Sequence, residues 1–199
     1  MSLPRDSGQP LERELKVTRS ILEVLDAHNH PVSLITKSAM ILRDLDILQS
    51  MAERGLVSAT ISLTTLDNKL SRRMEPRASA PYRRLQAIQQ LATMGVPVNV
   101  LTAPIVPGLN DEEIERLLES AKSAGAERAG FVMLRLPLEI EALFEEWLAE
   151  NFPDRAARVM NLVRGMHGGK AYDSTFGHRQ RGSGPYAQMI ADRFAAASK

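Results

Sequence analysis

The sequence predicts a parallel α/β fold followed by a helical tail, and three observations carry that prediction. Short β-branched runs alternate with helical periodicity from about residue 30 to residue 134. Glycines stand just past the helical stretches, at Gly55, Gly95 and Gly125, where helices commonly stop. After residue 134 the alternation ends, and only helical stretches and a glycine-rich segment follow. Strands that return through helical crossovers pair in parallel, because antiparallel pairing needs only a tight turn.

Residues 1–10 are polar and contain proline and glycine, so they read as a flexible segment. From Leu11 the spacing of Leu15, Ile21, Leu22 and Leu25 predicts one helix face, ended by His28-Asn29-His30-Pro31. Residues 32–36 are the first strand. A helix over 39–54 turns Ile41, Leu42, Leu45, Leu48 and Met51 inward. Residues 57–65 are the second strand, with Ser58, Thr60, Ser62 and Thr64 on one face.

A long charged loop covers 67–80. A helix over 81–94 begins with proline and stops at Gly95, which matches the asymmetry of helix termini. The third strand is 97–102, and a proline-rich loop over 103–110 follows. Asn110 is the expected N-cap of a helix over 111–124, whose acidic start suits the helix dipole. The fourth strand is 130–134. Helices over 139–150 and 154–164, an irregular stretch over 167–184 and a last helix over 185–197 complete the chain. The domain organisation is thus a flexible segment 1–10, an α/β body 11–138 and a basic, glycine-rich helical extension 139–199.

The 199 residues contain no cysteine, which excludes disulfides, thiol catalysis and cysteine-ligated metals in this chain. No stretch is apolar for long enough to span a bilayer, and no signal-peptide pattern opens the chain. The expectation is a cytoplasmic protein with no membrane partner. Net charge is +1, unevenly placed: residues 111–151 hold eleven acidic and four basic side chains, residues 164–199 six Lys or Arg and two Asp. A basic, glycine-rich end is one that could meet nucleic acid, or simply stay solvated.

In parallel α/β folds chemistry sits at the carboxyl ends of the strands. There the sequence offers Thr36-Lys37-Ser38, where the lysine can reach a carboxylate or phosphate. It also offers Ser62 and Thr64, whose hydroxyls suit polar ligands. Glu75-Pro76-Arg77, with Arg83 and Arg84, lies in and after the long loop. On composition alone it reads as a surface salt-bridge cluster. Ala103-Pro104-Ile105-Val106-Pro107-Gly108-Leu109-Asn110 exposes backbone groups after a strand, and Leu134 closes the last one. Phosphate loops, dinucleotide fingerprints, zinc helices and nucleophile elbows are absent, and the histidines lack metal-ligand spacing.

These strand ends resemble the radical S-adenosylmethionine (SAM) superfamily, and within it spore photoproduct lyase and the bacterial "DNA repair photolyase" proteins. The matching text is Ile35-Thr36-Lys37-Ser38, Ile61-Ser62-Leu63-Thr64-Thr65, Met74-Glu75-Pro76-Arg77 with Arg83-Arg84-Leu85, and Ala103 to Asp111. The resemblance implies a partial TIM-like (β/α) barrel that binds SAM across its strand ends. It implies that Lys37, between Thr36 and Ser38, meets the SAM carboxylate and that Ser62 and Thr64 meet polar parts of SAM. Ile105, Pro107 and Leu134 pack on adenine, while Glu75 and Arg84 border the same mouth.

The family holds a [4Fe–4S] cluster on a Cys-x-x-x-Cys-x-x-Cys loop, and thiolate is the ligand such clusters need. This chain departs from that pattern completely. The resemblance therefore implies the C-terminal part of a longer enzyme, inactive alone, whose partner is a missing N-terminal half-barrel that carries the cluster. The alternative is a cysteine-free module that binds or self-associates through exposed sheet edges.

Overall fold

In a computed structural model, residues 2–3, 10–175 and 178–199 are described. Five strands form one sheet in the order β1 (Ser2–Leu3), β2 (Val32–Thr36), β3 (Val57–Ser62), β4 (Val98–Ile105) and β5 (Arg128–Met133). The pairs β1–β2, β2–β3 and β3–β4 are parallel, with Val32 opposite Val57 and Ala59 opposite Val98. The predicted α/β class, with parallel strands and surrounding helices, is what the chain adopts, consistent with a partial TIM-like fold. The short β1 lies where the sequence suggests an irregular segment; the rest of that segment, residues 4–9, lies outside the described residues.

The chain divides into two compact units, each with its own core. The first holds Met1–Leu101 and Leu118–Gly130; the second holds Thr102–Leu117 and Phe131–Lys199.

In the first unit the sheet is two-faced. Val32, Leu34, Val57, Ala59, Ile61, Val98 and Val100 are buried on one face. The other face carries Ser33, Ile35, Ser58, Thr60 and Asn99, aligned by the register Ser33–Ser58, Ile35–Thr60 and Thr60–Asn99. Core side chains come from α2 (Val17–Ala27), α3 (Leu45–Glu53) and α5 (Pro81–Thr93), including Leu22, Leu48, Met51, Ile88 and Leu91.

The single helix expected before β2 is broken. Helix α1 (Pro10–Leu15) is separated from α2 by Lys16, whose φ of 48° is left-handed. The cause is Glu12. Its carboxylate accepts hydrogen bonds from the Thr18 amide at 3.1 Å and from Arg43 at 2.9 Å, which caps the first turn of α2. Leu15, expected inward, is 63% exposed as a consequence of that break. The helix expected over 39–54 opens as a 3-10 turn over Ala39–Asp44 before α3 begins.

The second unit contains the ends of β4 and β5 and three helices, α7 (Ile140–Asn151), α8 (Pro153–Gly165) and α9 (Gly184–Ala197). Phe131 and Phe194 pack with ring centroids 4.6 Å apart, and Val159, Val163, Met166 and Ile190 are buried. The glycine-rich stretch is tied to β5: the Gln180 carbonyl accepts the Met133 amide at 2.9 Å. The Arg181 guanidinium lies 4.1 Å from the Phe131 ring centre. That carbonyl occupies a hydrogen-bonding position on the strand that another strand could otherwise use. Among the described residues no helix is long and apolar enough to cross a membrane.

Candidate functional site

The candidate site in the first unit is built from the ends of β2 and β3. Thr36, the last residue of β2, is buried, and its Oγ1 accepts the Ser38 amide at 3.0 Å. Ser38 Oγ accepts the Met40 amide at 3.1 Å and so caps the 3-10 turn that follows. These two short bonds turn the chain sharply at the strand end. They leave the Lys37 side chain about one-third exposed.

At the end of β3 and just beyond it, Ser62, Leu63, Thr64 and Thr65 are all buried. Thr65 Oγ1 accepts the Asp67 amide at 3.0 Å, and Asp67 Oδ1 accepts the Lys69 amide at 2.7 Å. Asp67 thereby caps a helix, α4 (Asn68–Met74), inside the stretch expected to be a loop. Residue 75 follows α4 directly, and its amide donates to the Ser71 carbonyl at 2.8 Å. That helix brings Glu75 to the strand ends.

The Glu75 carboxylate organises the cluster. Its Oε1 accepts from the Lys37 ammonium and, at 3.0 Å, from the Thr64 hydroxyl. Its Oε2 accepts from Arg84 Nη2 at 2.6 Å. Arg84, only 1% exposed, donates its other prongs to two carbonyls: Nε to Ser79 at 2.7 Å and Nη1 to Ser62 at 3.0 Å. The surface salt-bridge reading of Glu75 and Arg84 is therefore corrected, since the pair is buried and hydrogen-bonded on both sides. Arg77 and Arg83, by contrast, are exposed.

Burial alone pushes the Glu75 carboxyl upward. The charges of Arg84 and Lys37, and their hydrogen bonds, outweigh it and hold the carboxyl below its ordinary range. The side chain is thus an anion at neutral pH. Two cations, Lys37 and Arg84, thus meet on the Glu75 carboxylate, one at the exposed side of the cluster and one at its buried side. A partly exposed ammonium at such a strand end suits a carboxylate or a phosphate oxygen.

The second unit contains the other candidates. The Leu134 amide donates to the Ile105 carbonyl at 2.9 Å, and Ile105, Pro107 and Leu134 are buried. Asn110 stands at the N-cap position expected of it, but its side chain makes no capping bond there. Its Oδ1 accepts the Val106 amide at 2.7 Å and its Nδ2 donates to the Pro104 carbonyl at 3.1 Å. It closes the loop on itself, which fixes the loop's backbone groups in place. Gly108, at φ 71°, turns the chain against Val159 and Leu162 of α8.

The first unit therefore brings together Thr36, Lys37, Ser38, Ser62, Thr64, Glu75 and Arg84, and the second brings together Ile105, Pro107 and Leu134. Ser79 belongs with the first group and was not signalled by the sequence, because it acts through its carbonyl to Arg84 and through contacts with Lys37 and Ala39 some forty residues away. Among the described residues no group of three His, Cys, Asp or Glu side chains could hold a metal ion. With no cysteine anywhere in the sequence, the residues present do not fit an iron–sulfur cluster.

The profile of the Radical SAM superfamily matches residues 5–121. The uncharacterized protein Mb2609c of Mycobacterium bovis is 30% identical over 161 residues, covering 80% of this chain and 47% of that protein. The uncharacterized protein MJ0683 of Methanocaldococcus jannaschii is 26% identical over 162 residues, covering 81% of this chain and 59% of its own. The uncharacterized protein ORF301 of Acidianus two-tailed virus is 27% identical over 122 residues, 59% of this chain and 40% of its own. The chain spans about half the length of the curated relatives it matches.

Proposed function

The chain belongs to the radical SAM superfamily, and from that premise we propose that its strand-end cluster receives the carboxylate of SAM. The observation that carries the reading is the placement of the partly exposed Lys37 ammonium just past β2, beside the Glu75–Arg84 pair. Arg84 is fully engaged with backbone and Glu75, so it supplies charge and rigidity rather than a contact. Lys37, the more exposed of the two cations, is the group proposed to touch the ligand. In the second unit, the backbone of the loop closed by Asn110 offers amides and carbonyls suited to an adenine edge.

SAM is the substrate through which this superfamily performs radical chemistry. The electron that starts such chemistry comes from an iron–sulfur cluster, whose ligands this chain does not contain. We therefore read the chain as contributing ligand binding, with the cluster thiolates supplied by residues outside these 199. The finer likeness to spore photoproduct lyase, and action on nucleic acid, rest on the quoted motifs and the basic tail, and belong to this reading as proposals.

Calorimetric titration of SAM into the 199-residue chain tests it. Lys37→Met is expected to weaken SAM about 10- to 100-fold, the worth of a charge-assisted hydrogen bond. Binding of 5′-methylthioadenosine, which has the adenosine but no carboxylate, is expected to be unchanged. Equal SAM affinity in the variant and the parent would remove Lys37 from the site.

A further inference from the structure

We infer that Tyr186, on the C-terminal helix α9, is a positioning residue for the loop over 104–111 and, through that loop, for an adenine-bearing ligand. The inference rests on the SAM reading above. All its observations lie within the second unit.

The loop is closed internally by Asn110, and the Leu134 amide holds it at Ile105. Where it enters the next helical segment, Asp111 is buried, and the Tyr186 hydroxyl donates to its Oδ2. Burial of the phenol, and then the Asp111 carboxylate, push Tyr186 up to about 12, so at neutral pH it remains a donor. Helix α6 (Ile114–Ser123) follows. Its Glu115 accepts both Arg193 Nε and Arg193 Nη2 at 2.7 Å.

The spacing makes this a clamp. Asp111 opens the 3-10 turn Asp111–Glu113 and Glu115 lies in the first turn of α6 just after it, while Tyr186 and Arg193 are seven apart and share a face of α9. The two contacts are unequal. Glu115 is half exposed and its ion pair with Arg193 is screened by water. The buried Asp111 has far less solvent to compensate it, so the clamp depends chiefly on Tyr186. A loop that reads a base by its backbone has no side-chain freedom with which to correct its position. Whatever fixes its backbone therefore sets its affinity.

Tyr186→Phe removes the hydroxyl and keeps the ring. Hydrogen exchange of the unliganded chain is expected to speed about tenfold at the amides of 106–111, and not in the first unit. Titration is expected to show SAM and 5′-methylthioadenosine weakened by the same factor, about three- to tenfold. Lys37→Met, a change in the first unit, is expected to leave exchange at 106–111 as in the parent, which separates the two roles. Asp111→Asn, which keeps an acceptor for the phenol, is expected to restore most of the protection relative to Asp111→Ala. Unchanged exchange at 106–111 in Tyr186→Phe overturns the clamp. Faster exchange with both affinities unchanged overturns its positioning role. If the parent chain binds neither ligand while exchange responds as expected, the SAM reading fails, and the ligand half of this inference falls with it.

Discussion

Replacing Glu75 by glutamine is expected to destabilise the protein by about 3–5 kcal/mol, the usual cost of removing one partner from a buried ion pair. For a chain of this size that lowers the thermal midpoint by roughly 6–20 °C. The reason lies in Arg84 rather than in Glu75. A guanidinium 1% exposed cannot be rehydrated in place, and its carbonyl partners at Ser62 and Ser79 satisfy its donors without neutralising its charge. Lys37, about one-third exposed, recovers water when Glu75 is lost, so its contribution is small. The double variant Glu75→Gln/Arg84→Met removes the orphaned charge and is expected to regain a large part of the loss. Denaturant unfolding of the parent, both single variants and the double variant measures the coupling. A cost below about 1 kcal/mol for Glu75→Gln would mean that Arg84 is not held as described.

The same cluster has a pH signature. The folded-state value of Glu75 lies below its ordinary value of 4.5. A depressed carboxyl contributes stability that is present above the ordinary value and is lost as pH falls through the folded value. The stability gap between the parent and Glu75→Gln is therefore expected to be full at pH 7 and to shrink below about pH 4.5. Urea midpoints at neutral and acid pH read this directly. A gap of constant size across that range would show that the charge of Glu75 is not what stabilises the fold.

What the sequence shows of this arrangement, and what it hides, follows from the range of each interaction. The strands and α5 were legible because burial repeats along them at a fixed period. Val57, Ala59 and Ile61 alternate with Ser58, Thr60 and Ser62, while Pro81, Arg84, Ile88 and Leu91 recur at helical spacing. That second pattern already contained the sign that Arg84 is buried, because the arginine stands in the apolar stripe. Glu75 was grouped with it, but as a surface salt bridge, and the burial of the pair was hidden. Glu75 reaches Arg84 only because Asp67 starts a helix within a stretch whose exposed Arg72 and Arg73 make it look like solvated loop. The bonding of Asn110 and the role of Tyr186 were hidden differently. Asn110 bonds back four and six residues instead of forward into a helix, and Tyr186 meets Asp111 across 75 positions of sequence. A one-dimensional pattern holds no record of contacts of that kind.

Gly125→Ala is expected to cost about 2–6 kcal/mol, well above the same change at Gly55, from two separable causes. The first is conformational. Gly125 has a φ of 103°, beyond the left-handed helical well, where a side chain costs about 1–3 kcal/mol. The second is steric. A Cβ at position 125 would lie 2.6 Å from the Cβ of Ala92 in α5, and crowding of that kind typically costs about 1–3 kcal/mol. Gly55, at φ 67°, meets nothing within 4 Å, so only the backbone cost of about 1–2 kcal/mol applies there. The close approach at 125 has a structural purpose. The turn Lys122–Gly125–Ala126 ends α6, and two residues later the Glu127 amide donates to the Val98 carbonyl at 2.8 Å, starting β5 beside β4. Relief of the clash by moving this turn outward would break that first strand contact, so the side chain cannot be accommodated cheaply. Adding Ala92→Gly opens the space but leaves the backbone strain. The double variant is therefore expected to recover part of the steric cost, less about 1 kcal/mol for a glycine within a helix. Chemical denaturation of the four species resolves the two causes. Equal losses at Gly55 and Gly125 would show that the turn yields, and that β5 does not depend on it for its register.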